Sequence, residues 1–152
     1  MKKLMFSLLC AGMCVCACEN GEVNPLLTEW NAPYGIPPFE DVKPEHYMPA
    51  YKVAMEQYRN EIDGIVSNPE EPTFENTIVA FDNSGELLSR ISAVFGSANG
   101  VNSSEELRNI SKELSPLLSE LSSEVNMNEK LFQRIKSVYD RRDSLNLEPD
   151  QY

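Results

Sequence analysis

One histidine, His46, is present in the whole chain, and all four cysteines fall within the first 18 residues. Neither a site of two histidines and a glutamate nor a four-cysteine site can be assembled from that set, so a zinc centre built from this chain alone is excluded. Basic side chains are also scarce: 13 Lys and Arg stand against 24 Asp and Glu in 152 residues, a net charge of −11 at pH 7. An acidic chain repels phosphate backbones, and no cluster of basic residues interleaved with aromatics occurs, which excludes nucleic acid as a partner. The HExxH helix of metalloproteases, the glycine-rich phosphate loop and the GxSxG turn are all missing. What remains, 41% hydrophobic and 24% charged residues, describes an acidic globular chain of about one domain.

The amino terminus reads as an export address. Lys2 and Lys3 precede an apolar run, Leu4 to Val15, that is too short to span a bilayer as a permanent helix. Val15-Cys16-Ala17-Cys18 resembles a bacterial lipobox, in which cleavage before an obligatory cysteine leaves that residue carrying the lipid. Residues 1–17 are therefore expected to be a signal peptide and Cys18 the lipidated first residue of a membrane-anchored lipoprotein of the cell envelope or periplasm. Ordinary signal peptidase cleavage cuts at the same bond and differs only in leaving Cys18 free. Removing Lys2 and Lys3 leaves 11 basic against 24 acidic side chains, a net of −13, so membrane contact must come from the anchor and not from a basic patch. A single remaining cysteine also cannot form an internal disulfide.

Residues 18–43 are expected to form an extended, lipid-anchored arm. Six of the ten prolines lie between Cys18 and Pro49, and each fixes its own φ and restricts the residue before it. Trp30, Tyr34, Ile36 and Phe39 give the arm more apolar material than a free linker carries, which predicts that it lies along a surface and inserts those side chains.

From residue 44 to 152 the apolar spacing is helical. Tyr47, Tyr51, Met55, Tyr58, Ile62 and Ile65 predict one helix from about Pro44 to Asn68-Pro69. A second is expected from an N-cap at Thr73 through Phe74, Ile78, Phe81, Leu88, Ile91 and Phe95, stopping by Gly96 to Gly100. Gly85 falls on its apolar stripe, which suggests either close approach of a neighbouring helix or simple tolerance of a weak position. Ser103 and Glu106 have capping-box spacing for a third helix through Leu107, Ile110, Leu114, Leu117, Leu121 and Val125, kinked but not broken by Pro116. A fourth runs from Asn128 through Leu131, Phe132, Ile135, Val138 and Tyr139 to about Arg142. No alternating strand pattern follows residue 44, so the expected class is all-α, a bundle of antiparallel helical hairpins after the proline-rich arm.

Four groups invite a chemical reading. His46 beside Glu45 lacks a second partner for acid/base work, so a helix-start hydrogen bond or an exposed ring is the preferred account. Glu70-Glu71 and Glu105-Glu106 read as first-turn acids facing a helix dipole rather than as a cation site. Asp140-Arg141-Arg142-Asp143 is read as a solvated helix end rather than an arginine fork for a peptide carboxylate. No residue of this chain is assigned a catalytic or metal-binding role, and Cys18 is the one modification site.

The order of segments resembles the N-terminal portion of the M3 family of zinc metallopeptidases, in particular its peptidyl-dipeptidase branch, to which oligopeptidase A is related. The resemblance is carried by Asn24-Pro25-Leu26-Leu27, Pro37-Pro38-Phe39, Tyr47-Met48-Pro49-Ala50, and the stretch from Asn68-Pro69 through Pro72-Thr73-Phe74-Glu75-Asn76-Thr77. It continues in Ser84-Gly85-Glu86-Leu87-Leu88-Ser89-Arg90, Asn128-Glu129-Lys130-Leu131-Phe132 and Tyr139-Asp140-Arg141-Arg142-Asp143-Ser144-Leu145. It implies a mostly helical channel in which zinc, held by the histidines of HExxH and a later glutamate, activates water to release C-terminal dipeptides from short peptides. Those zinc-binding residues belong to the family's C-terminal half and match no position here. The chain is thus expected to be the channel-wall segment of a larger, mostly helical peptidase and inactive alone. The alternative is a small, non-catalytic helical surface lipoprotein that binds a protein or peptide partner.

Overall fold

A computed structural model describes residues 23–145, together with 147, 148 and 151; residues 1–17 and Cys18 lie outside it. Every regular element among the described residues is helical, as the spacing predicts. The first long helix, α1, runs Pro44–Ser67. Proline at its first position lacks an N–H that no helical carbonyl could have satisfied. His46 caps the start by accepting the Lys43 N–H at Nδ1, 3.0 Å. Pro69 and Pro72 forbid continuation, and the chain turns through residues 68–73.

Thr73 then caps the next segment reciprocally: its hydroxyl accepts the Asn76 N–H at 3.0 Å, and Asn76 Oδ1 accepts the Thr73 N–H at 2.8 Å. The segment is not one long helix. It opens as a π-helical turn, Phe74–Val79, passes through a single α-helical turn, α2 (Ala80–Asp82), and breaks at Asn83 to Gly85. Gly85 takes φ +76 at the N-terminal boundary of α3, Glu86–Val101. The expected helix through Gly85 is therefore corrected. Glycine adopts this left-handed conformation without the Cβ clash other residues meet, and the apolar stripe resumes in phase beyond the break. Helix α3 passes through Gly96 and Gly100 and ends at Val101, one residue beyond the expected stop.

Helix α4 spans Glu105–Asn126 and continues across Pro116. Its cap is Ser104, whose hydroxyl accepts the Leu107 N–H at 3.1 Å, and not the Ser103 inferred from the Ser103/Glu106 spacing. Ser103 is engaged instead with Asn99 Oδ1 and with Arg108. Helix α5, Glu129–Asp140, begins at the expected cap, Asn128, which accepts the Leu131 N–H at 3.1 Å.

Packing makes α1 the hub of the fold. It presents Tyr47, Ala50, Tyr51, Ala54, Met55, Ile62 and Ile65 to the core, and α3, α4 and α5 all lie against it. Tyr47 and Tyr51 meet Phe95 edge-on at centroid distances of 5.0 and 6.0 Å, while Tyr58 and Glu61 meet Gly85. Helix α3 therefore runs antiparallel to α1. Arg59 of α1 pairs with Glu124 near the end of α4, so α4 runs parallel to α1 and antiparallel to α3.

The arm is less inserted than expected. Leu26 is fully buried and Leu27, Trp30 and Val42 pack against the core, but Tyr34, Ile36 and Phe39 are 100%, 51% and 49% exposed. Nor is it wholly extended, because Pro25–Leu27 and Pro33–Gly35 form 3₁₀ turns. Proline at the first position of each turn supplies the required φ.

Candidate functional site

Structure separates the groups that invited chemistry. His46 is bound into the start of α1 through Nδ1, the preferred reading, and Glu45 is an exposed first-turn acid. Glu105 and Glu106 occupy the first turn of α4, where the helix dipole favours them. Glu70 and Glu71 do not open a helix; they lie in the turn before Thr73, and Glu75 is the first-turn acid there. Glu71 is instead paired with Arg141, which also donates to the Pro72 carbonyl. The cluster Asp140 to Asp143 is correspondingly more than a solvated helix end. Arg141 straps the turn after α1 onto α5, Lys136 pairs with Asp140, and the Arg142 guanidinium lies 4.2 Å from the Tyr139 ring centroid.

A second strap was not anticipated. Arg134 is 9% exposed and donates to the Asn68 carbonyl at 2.8 Å, the Glu70 carbonyl at 3.3 Å and Asn76 Oδ1 at 3.1 Å. The signal was an arginine lying on the apolar face of α5 between Leu131 and Val138, where a charge requires a partner. One planar fork thus satisfies two carbonyls of a proline-rich turn and the cap of the next segment.

A cleft of about 540 Å³ lies between α3 and α4. Both helices rest on α1 and touch each other little, which leaves the space open. Its apolar surface comes from Tyr51, Phe95, Leu114 and Leu118, and its polar edge from Ser111, Ser115, Ser119 and Ser122. The near four-residue spacing of those serines stacks them along one side of α4. Small hydroxyl side chains beside leucine and aromatic surface suit the close approach of a peptide or another helix. Burial raises the phenol pKa of Tyr51 above 10.0, an effect the Ser92 hydrogen bond partly offsets; burial and neighbouring Tyr51 raise that of Tyr47. Both phenols are neutral at physiological pH.

The implied zinc finds no fit, since among the described residues no three His, Cys, Asp or Glu side chains are grouped to hold a metal ion. No helix of the described residues is long and apolar enough to cross a membrane.

No family model matches the chain. Individual proteins do. It is 38% identical over 128 residues to dipeptidyl carboxypeptidase of Escherichia coli, a match covering 84% of this chain and 19% of that protein. The dipeptidyl carboxypeptidase of Salmonella typhimurium is 38% identical over 127 residues, with the same coverage of 84% and 19%. Oligopeptidase A of Salmonella typhimurium is 33% identical over 117 residues, 77% of this chain and 17% of that protein. The chain therefore spans less than a fifth of the length of these curated relatives, and it is homologous to a segment of peptidases named dipeptidyl carboxypeptidase and oligopeptidase A.

Proposed function

We propose that this chain forms part of the helical wall of the substrate channel in an M3-type zinc metallopeptidase that releases C-terminal dipeptides from short peptides. The observation that carries the reading is the 38% identity to dipeptidyl carboxypeptidase across 84% of the chain. The all-helical scaffold and the open cleft beside α4 are consistent with a wall that peptide or neighbouring helices contact. Zinc and the groups that activate water are supplied by residues outside this chain. The protein is exported and held on a membrane surface by lipid on Cys18.

The test is complementation in trans. Escherichia coli dipeptidyl carboxypeptidase lacking the segment this chain matches is produced with and without the chain, and dipeptide release from a short peptide is followed with zinc and with chelator. Chelator-sensitive release only when both are present is expected, with none from the chain alone. Absence of rescue despite stable association, or zinc-dependent release by the chain alone, would overturn the reading. The anchor is tested separately: Cys18→Ser should move the protein from the detergent phase to the aqueous phase, and unchanged partitioning would refute lipidation.

A further inference from the structure

We infer that the end of the bundle where α1 begins, α3 ends and α4 begins rests on the lipid surface, with Phe39 and Val101 in contact with it. This rests on the proposed lipidation of Cys18, and its argument is the length of the tether. Six residue steps separate Cys18 from Asn24, and a fully extended chain covers at most about 3.3–3.6 Å per step, so the tether reaches about 20 Å. The fold starts at once beyond it. Asn24 donates through Nδ2 to the His46 carbonyl at 2.8 Å and accepts the Leu26 N–H at 3.0 Å, and Leu26 is fully buried. The chain is thereby fixed to the first turn of α1 within a short reach of its lipid.

Helix length makes that constraint directional. At 1.5 Å per residue, the 22 residues of α4 extend about 33 Å. Asn24 and the first turn of α1 therefore stay within about 20 Å of the anchoring lipid, whereas Met127, past the far end of α4, can stand well clear of it. Apolar side chains are exposed at both ends, Met127 and Phe132 at the far one, and the tether selects the near one. A groove of about 600 Å³ is lined there by Phe39, Val42, Ala98, Val101 and Leu107 among others. Val101 is 90% exposed and Phe39 is 49% exposed. The arm leading to Phe39 holds Tyr34 fully exposed, with φ +64, and Ile36 half-exposed.

Charge fixes the kind of contact. Glu40, Asp41, Glu45, Glu105 and Glu106 outnumber Lys43 and Arg108 around this end. Acids repel anionic headgroups, so the contact is apolar and shallow, with aromatic and aliphatic side chains at the headgroup level. It is a neutral lipid surface that fits.

The experiment uses the complete lipidated gene product, extracted from membranes and reconstituted into phosphatidylcholine vesicles. Val101→Cys and Met127→Cys, both at highly exposed positions, each receive an environment-sensitive fluorophore, and the protein without an added cysteine serves as background. Flotation with the vesicles reports the anchor. Quenching by nitroxide-bearing phosphatidylcholine and by aqueous iodide reports the position of each label. The expected result is a blue-shifted Val101 label quenched by the lipid nitroxide and shielded from iodide, with a Met127 label that behaves oppositely. Adding phosphatidylglycerol should weaken the Val101 signal. Floating protein whose Val101 label is open to iodide overturns the orientation while leaving the anchor intact. A Val101 label shielded from both quenchers also overturns it, since protein would then cover this end. Protein that fails to float refutes the lipidation, and the orientation falls with it.

Discussion

Gly85→Ala distinguishes a left-handed turn from a helix interior by the sign of its effect. At φ +76 an added Cβ meets the backbone clash of the left-handed region, about 1–2 kcal/mol. It would also stand 3.2 and 3.3 Å from two carbons of the Tyr58 ring, closer than ordinary contact. Alanine restricts the unfolded chain and returns about 0.4–1 kcal/mol, so the net expectation is a loss of about 1 kcal/mol. Were Gly85 inside a helix, the same substitution would stabilise by about 1 kcal/mol. For a chain of this size that separates melting temperatures by a few degrees in opposite directions, readable by circular dichroism. A double-mutant cycle with Tyr58→Ala apportions the loss: removing the ring relieves the contact but not the backbone conformation, so Gly85→Ala remains destabilising in that background. An alanine variant that melts above the parent would refute the turn at Gly85 and restore a continuous helix.

Arg134→Met should cost about 2 kcal/mol, because it removes a charged donor shared by three acceptors, whereas Arg141→Ala should cost under about 1 kcal/mol because its partner Glu71 is 75% exposed; urea unfolding of both variants checks the order. Leu26→Ala should cost about 3 kcal/mol and expose the arm to proteases before residue 44, read by the site of first cleavage. The Tyr47 and Tyr51 phenols have folded pKa values raised above 10.0, so the folded state holds its protons longer than the unfolded state. Their stabilising contribution is complete below pH 10 and is lost as pH rises through the folded values; thermal melts should fall above pH 10, and less steeply in Tyr47→Phe with Tyr51→Phe.

Much of this architecture was legible in the order of residues. The apolar stripe of α1, its stop at Asn68-Pro69, and the caps at Thr73 and Asn128 follow from spacing and local hydrogen bonding alone. Gly85 was harder because the stripe stays in phase across the break, and periodicity cannot tell a turn that preserves phase from a helix that never stopped. Ser103 and Ser104 differ by one residue and offer equivalent hydroxyls, so the choice rests on where the chain enters α4. The arm misled for another reason: Trp30 and Leu26 do find the core, but apolar character alone could not show that Tyr34, Ile36 and Phe39 would stay outside it. Arg134 was readable as a charge on an apolar face, yet its partners are backbone carbonyls, which leave no mark in composition. The cleft between α3 and α4 needed the third dimension, since only the packing of both helices on α1 opens the column of serines.

If this helical segment serves a zinc peptidase, as proposed, the coding DNA downstream of the Tyr152 codon must encode the zinc-binding half. The expected result is an open frame continuing through HExxH and a later glutamate, at a total length near that of the dipeptidyl carboxypeptidases. A stop codon directly after Tyr152 would contradict it and leave a non-catalytic helical lipoprotein.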